Sequence, residues 1–166
     1  ALIEAAEHGS DPVMGFVIDI RKCFDETPWL PFFSVLRRMG VHSGFLHSWH
    51  GSLRNHGRRM QWDGALSEPH LSTCGFPQGD ALSICPILLV SHLFCRTMSN
   101  LDGSCQPLAF ADNFECVTSC PHVTTFALSE AISFLRTWGL TTSQSKSWLW
   151  GSSPGARKAL KQHAAL

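Results

Sequence analysis

Two rhythms of apolar and polar positions organise the 166-residue chain. Residues 15–20, GFVIDI, are a short apolar run rich in β-branched side chains, which predicts a buried strand with Asp19 as its one acid. Ahead of it, residues 1–7 have helix-forming composition and end at a Gly9-Ser10-Asp11-Pro12 loop. Thr27-Pro28 offers an N-cap and a proline for the first helical position, so a helix is expected through PWLPFFSVLRRM to Gly40. Another is expected from Gly44 to Leu53. Residues 58–74 read as a β-hairpin about Asp63-Gly64. A GFPQGD loop (75–80) then leads into a long apolar helix, ALSICPILLVSHLFCRTM, with Pro86 near its first turns. LAFADNFECV (108–117) reads as strand, tight turn and strand, with Ala111-Asp112-Asn113 at the tip. A helix over 123–138 stops at Gly139, and a last strand lies around KSWLW (146–150). The order predicts an α+β fold, with helices packed on one face of a small antiparallel sheet.

Composition narrows the function classes. Hydrophobic content of 44% in a chain of this length supports a packed core and excludes a disordered segment. Only 16% of residues are charged and the formal net charge is zero, so any affinity for nucleic acid must come from local patches or bound metal ions. The seven cysteines (23, 74, 85, 95, 105, 116 and 120) are odd in number, contain no CxxC pair and follow no signal peptide. Reduced thiols in an intracellular, reducing compartment are expected. Cys116, Cys120 and His122 lack a fourth ligand at zinc-finger spacing, which favours thiols packed as small hydrophobes over a zinc site. The longest apolar run, around Ala81 to Phe94, is interrupted by serines and a histidine and reads as too short and polar to span a bilayer, so no membrane partner is expected. The chain opens at Ala1 and closes on a basic, alanine-rich stretch, and is read as a segment of a longer protein.

Two acids carry the chemistry. An isolated carboxylate is costly to bury, so Asp19 in its strand and Asp112 at an apolar hairpin tip each need a partner, a cap or a cation. Singly, Asp112 is explained by an Asx-turn and Asp19 by capping of the next segment. If strand 15–20 lies beside hairpin 108–117, the two carboxylates meet at one edge, and neither strand holds a Lys or Arg to neutralise them. Converging carboxylates of that kind suit magnesium completed by substrate phosphates, the arrangement used in phosphoryl transfer.

At this point the residues resemble a family. VIDIRKCFD (17–25) resembles motif A of reverse transcriptases, and GFPQGDALSICPILLV (75–90) is similar to motif B. FADN (110–113) resembles motif C, usually aromatic-Ala-Asp-Asp, and GLTTSQSKSWLWG (139–151) resembles motif D. Each motif is short, but four in order on the expected elements are specific. The resemblance covers roughly residues 10–151, and its style is nearest to non-LTR retrotransposons and group II intron proteins. It implies a polymerase palm with an RRM/ferredoxin-like core, here over residues 1–166 as a reverse transcriptase domain fragment with minor fingers elements. It further implies RNA-directed DNA polymerase activity, two Mg2+ ions (with Mn2+ as a substitute), and an RNA template, a DNA primer and a dNTP as partners. A nuclear location follows for a eukaryotic retroelement.

Carried over residue by residue, Asp19 and Asp112 would bind both metal ions, with the Ile20 carbonyl and Asn113 as further ligands. Phe24 would lie under the sugar of the incoming nucleotide and exclude a 2′-hydroxyl, although without the motif it reads as a core aromatic. That ring speaks against an RNA-dependent RNA polymerase. Gln78 and Gly79 would contact the nucleotide and template, glycine allowing close backbone approach. Lys146 would approach the triphosphate and protonate the leaving pyrophosphate; the alternative is a solvated strand lysine. Asp25 fits helix capping better than metal binding. Arg54, Arg58 and Arg59, with Arg37 and Arg38 before them, would touch template–primer phosphates or form a solvated face. Trp148 and Trp150 read as packing residues rather than base-stacking ones.

The pattern departs from the family at position 113, where Asn replaces the second Asp of motif C. An amide oxygen still coordinates a cation but brings no charge, which should weaken metal affinity without deleting the site. Some viral RNA polymerases resemble this Asp-Asn variant. Glu115, on the same strand face, could supply the missing charge only by reaching past a strand repeat. Most of the fingers and all of the thumb have no counterpart in these residues, and no endonuclease or RNase H pattern is visible. A catalytically degenerate relative, kept as a nucleic-acid or protein scaffold, is therefore the alternative function.

Overall fold

The expected buried strand is central in its sheet. In the computed structural model, which describes residues 12–164, β1 (Met14–Asp19) is buried along its whole length. It pairs antiparallel with β7 (Asn113–Thr118) on one side and β8 (Trp148–Gly151) on the other. β6 (Gln106–Phe110) pairs with the outer edge of β7, giving the order β6-β7-β1-β8. With α4 (Ile84–Ser99) before β6 and α5 (Pro121–Thr137) before β8, this is the split βαβ order of a ferredoxin-like sheet.

Strand period decides which face is covered. Phe16 and Ile18 stand opposite Cys116 and Phe114, and all four are buried on the side where the helices pack. Phe94 of α4 meets Phe114 edge-on with centroids 4.7 Å apart, and Phe134 of α5 meets Phe94 at 5.8 Å. Gly15 is needed for packing rather than for a turn. A Cβ there would collide with the Cys116 carbonyl and approach the Trp150 ring to 3.1 Å. Trp150 therefore packs against its neighbouring strand, as expected, while Trp148 stays about half exposed.

A helix over Pro154–Ala164, α6, had no counterpart in the periodicity reading. Its start was legible, because Ser153-Pro154 supplies a cap, and the Ser153 hydroxyl accepts from the Ala156 N–H at 3.1 Å. Ala156 and Leu160 bury against Met14 at the start of β1.

Residues 22–83 form a second unit. It contains α1 (Cys23–Glu26), α2 (Trp29–Arg38) and α3 (Ser43–Asn55). Its core is aromatic: Phe32 lies 5.3 Å from Phe33, Trp49 and Phe76, each edge-on. The expected hairpin is two nested pairs, β2 (Gly57–Arg58) with β5 (His70–Leu71), and β3 (Gln61–Trp62) with β4 (Ala65–Leu66). Asp63 and Gly64 both have positive φ (47° and 78°), the signature of the two-residue turn that Asp-Gly predicts.

Several expectations are corrected. Thr27 does not cap α2; its hydroxyl donates to the Cys23 carbonyl, and Pro28 occupies the cap position instead of the first helical one. Asp25 does not cap a helix either, because it lies inside α1 with its carboxylate 3.7 Å from Arg58. The apolar helical run reaches Ala81–Ser99, 19 residues of mean hydropathy 1.6, so by length and composition it can cross a membrane, contrary to the shorter run expected. Its buried stripe of Ile87, Val90, Phe94 and Met98 is what a core helix against a sheet requires. Lys146 lies in a short 3-10 turn (Gln144–Lys146) before β8, not on a strand. The helix expected over 1–7 lies outside the described residues.

Of the thiols expected to pack as small hydrophobes, Cys23, Cys105 and Cys116 are buried, Cys74, Cys85 and Cys95 are half-buried, and Cys120 is exposed. Cys116 is fully buried on β7, and burial, reinforced by neighbouring Cys105, pushes its thiol up to about 12. Among the described residues no three His, Cys, Asp or Glu gather as a metal-binding group.

Candidate functional site

The site begins with strand register. Asp19 and Asn113 are directly opposed across β1 and β7, so their side chains share the face away from the helices. One residue further, the Ile20 N–H donates to the Asp112 carbonyl at 2.9 Å. The two acids singled out in the sequence thus sit at one end of the sheet, where the Asp112 carbonyl meets the Ile20 N–H next to Asp19. Glu115 stands opposite Val17, one strand repeat back from Asn113, as expected.

The β6–β7 hairpin presents Asp112 through a strained turn. Phe110 pairs with Asn113, leaving a two-residue loop in which Ala111 has φ 52° and Asp112 does not have positive φ. That sign pattern belongs to a II′ turn, whose first position favours glycine. An alanine there costs roughly 1–2 kcal/mol, and glycine would lose about 0.5–1 kcal/mol through unfolded-chain entropy. Ala111→Gly is therefore expected to stabilise the chain by up to about 1 kcal/mol, and β-branched Ala111→Val to destabilise it by more than about 1 kcal/mol. Equal unfolding midpoints in urea for the two variants would remove the strain argument.

The third strand-end contribution comes from the α5–β8 connection. Gly139 (φ 71°) ends α5, and the Leu140 N–H returns to the Leu135 carbonyl at 2.9 Å, a Schellman closure that buries Leu140. The chain then runs beside the exit of β1, where the Arg21 N–H donates to the Thr141 carbonyl at 2.8 Å and Ile20 bridges Thr142. Ser143 donates its N–H to the Asp19 carbonyl at 2.8 Å. The Ser147 hydroxyl accepts from the Asp19 N–H at 3.1 Å and donates to the Ser143 carbonyl at 2.7 Å. Both peptide groups of Asp19 are thereby held by one loop. Ser143 and Ser147 were missed in the sequence, although their i, i+4 spacing in TTSQSKS was a usable signal.

That loop delivers Lys146, whose Nζ lies 3.8 Å from Asp19 Oδ2. Asp19 is only 12% exposed while Lys146 is 70% exposed, so the pair is screened on the lysine side and contributes at most about 1 kcal/mol. Neither strand holds a cation, as expected, but the neighbouring loop supplies one. Asp112 and Asn113 are half-buried.

The remaining candidates belong to the second unit. Phe24 is half-buried, and its carbonyl accepts from the Phe76 N–H at 2.6 Å. Phe76 in turn is fully buried in the aromatic cluster and anchors the GFPQGD loop. Gly75 (φ 80°) must be glycine, because a Cβ would collide with the Asp25 carbonyl. Gly79 has φ 92° with open space where a side chain would be, so its backbone is approachable, and Gln78 is exposed. Asp80 caps the following turn by accepting from the Leu82 N–H at 3.0 Å. Arg54 and Arg59 are exposed, whereas Arg58 is committed to Asp25.

Comparison with known proteins agrees with the motif reading. The family model described as Reverse transcriptase (RNA-dependent DNA polymerase) matches residues 3–155. No curated relative matches the sequence. Among solved structures, apo telomerase from Candida tropicalis, truncated from its C-terminal domain, superposes with a TM-score of 0.69 at 13% identity, over 90% of this chain and 33% of that one. Telomerase from the same organism in complex with a TWJ fragment of telomeric RNA gives a TM-score of 0.72 at 9% identity, over 88% of this chain and 27% of that one. At such identities the likeness is one of fold, and the chain spans a third or less of the length of these telomerase chains. The chain belongs to the reverse transcriptase (RNA-dependent DNA polymerase) family.

Proposed function

We propose that the chain is the palm of a retroelement RNA-directed DNA polymerase, of the non-LTR or group II intron style. It would transfer a nucleotide from a dNTP to a primer 3′-OH on an RNA template, together with the fingers and thumb of its parent protein. The observation that carries this reading is the register that sets Asp19 opposite Asn113, with the Asp112 carbonyl bonded to the Ile20 N–H next to it and Lys146 at 3.8 Å.

The donor set fits magnesium: two carboxylates, one amide and the Ile20 backbone are all hard oxygen donors at one sheet edge, short of a full cage, as suits an ion completed by substrate phosphates. Bound there, two Mg2+ ions would neutralise the phosphates and activate the attacking oxygen. Ser143 and Ser147 fix the backbone of Asp19, and with it the point from which its carboxylate projects. Lys146 is the group that would give a proton to the leaving pyrophosphate. Phe24 would exclude a 2′-hydroxyl, and Gln78 and Gly79 would contact the nucleotide and template. Arg54 and Arg59 are exposed where nucleic-acid phosphates could meet them, and Arg58 would have to exchange Asp25 for such a phosphate.

Primer extension by the full-length parent protein with magnesium or manganese tests the reading. Incorporation that disappears in Asp112→Ala supports it; inactivity that persists in Asn113→Asp counts against it. A degenerate scaffold is favoured by one observation, the uncharged Asn113 beside an Asp19 that already has a lysine partner. On that reading magnesium leaves thermal stability unchanged.

A further inference from the structure

On the larger unit, β8 is an edge strand, paired with β1 alone. Which of its backbone groups face outward follows from one bond at its end. The Ser152 N–H donates to the Val13 carbonyl at 2.8 Å, one step beyond the opposed pair Met14 and Gly151. Antiparallel ladders alternate, so Trp150 and Trp148 also turn their peptide groups toward β1, while Leu149 and Gly151 turn theirs outward. The Gly151 carbonyl agrees, because it accepts from Arg157 Nη1 of α6 at 3.0 Å. Among the described residues nothing bonds the N–H or the C=O of half-buried Leu149.

Two clefts flank that open peptide group, one toward each end of β8. The first, of about 370 Å³, takes in Ser147 and Trp148 and has Leu128 and Ile132 of α5 as its apolar wall, with exposed Arg136 beside them. The second, of about 190 Å³, takes in Trp150 and is lined by Leu160, Arg157 and exposed Lys161 of α6. Leu149 lines both, and no carboxylate lines either. An unpaired strand edge is a template for a further strand, and in an added strand every second side chain points to the same face. With one residue of that strand paired to Leu149, the residues two positions away on either side stand over the two clefts. A side chain with an apolar stem and a carboxylate tip suits both, its methylenes against leucine and isoleucine and its charge toward Arg136 or Lys161.

We propose that β8 is a docking edge for an acidic, extended segment of a partner protein, bound as a fifth strand with acidic side chains at alternate positions over the two clefts. The outward N–H and C=O of Leu149 supply the main-chain bonds, and the two cations choose the sign of the partner. A phosphate backbone is the poorer fit, because it has no N–H to give the Leu149 carbonyl and no apolar stem for the clefts.

Fluorescence anisotropy of a fluorescein-labelled, C-terminally amidated peptide, Glu-Thr-Val-Thr-Glu, titrated with the full-length parent protein at physiological salt, tests this. Saturable binding is expected. N-methylation of the central valine removes the N–H aimed at Leu149 and should weaken binding by about tenfold. Arg136→Gln combined with Lys161→Gln should weaken it by about three- to tenfold, the scale of two solvent-facing charge pairs. Both cations are exposed, so the melting temperature of the double variant is expected to match that of the parent. Absent binding, equal binding of the N-methylated peptide, or equal binding to the double variant overturns the proposal. Displacement of the peptide by an equimolar single-stranded oligoribonucleotide would assign the cations to nucleic acid and overturn it too. None of these readouts involves nucleotide incorporation, so the polymerase reading stands or falls separately.

Discussion

Replacing Asn113 with aspartate is expected to raise magnesium affinity ten- to a hundredfold. At an effective dielectric near 20 and a separation of about 5 Å, two unit charges interact by roughly 3 kcal/mol, and a divalent ion doubles that. Desolvation and the repulsion of a new carboxylate facing Asp19 take back most of the gain. A net gain of about 1.4–2.8 kcal/mol remains, which corresponds to that factor. The same register predicts the behaviour without metal. The carboxylate introduced by Asn113→Asp would oppose Asp19 directly, and the exposed Lys146 beside Asp19 screens the pair only in part, so the variant should be slightly less stable than the parent chain in EDTA. Added magnesium should reverse the order, because binding to the folded state stabilises it by mass action. Melting temperatures measured across a magnesium series check this. Curves that stay parallel and flat for both proteins would mean that the hairpin binds no cation.

The second large effect concerns the fold. Phe114→Ala is expected to cost about 3–5 kcal/mol, the range for a fully buried aromatic whose cavity cannot collapse. The ring sits between Asn113 and Glu115, faces Phe94 at 4.7 Å, and stands opposite Ile18, so its loss loosens the hairpin from below. For a domain of this size that is a large share of total stability. Phe126→Ala, on the same unit but 47% exposed, should shift the urea midpoint far less. A Phe114→Ala cost below about 1 kcal/mol would show that the sheet and helices are not joined through this ring. Together the two experiments separate chemistry from scaffold: Asn113→Asp changes metal dependence at nearly constant fold, and Phe114→Ala changes the fold with every site residue in place.

Legibility differed by element for physical reasons. GFVIDI and LAFADNFECV were readable because strand period and turn chemistry are local, and both strands of the hairpin and the central strand appear where the pattern placed them. α6 was missed because a basic, alanine-rich helix has a narrow apolar stripe; Ala156 and Leu160 are the residues that carry it into the core. Thr27 misled because a hydroxyl before a proline suits a cap, yet the preceding helical turn offered it the Cys23 carbonyl. Asp25 misled in the same way, since Arg58 comes from a strand whose approach no local pattern records.

By itself the sequence determined the residue types of the site, the order of the elements that carry them, and the family to which the chain belongs. Those properties follow from periodicity, turn residues and motif spacing, all of which act over a few positions. Only the tertiary structure decided that β7 pairs with β1 in the register that sets Asn113 against Asp19. It likewise decided that Ser143 and Ser147 grip both peptide groups of Asp19, and that Lys146 answers its carboxylate. Pairing register between strands so distant in sequence depends on burying Phe16, Ile18, Phe114 and Cys116 together, since a slip of one residue would turn that face outward.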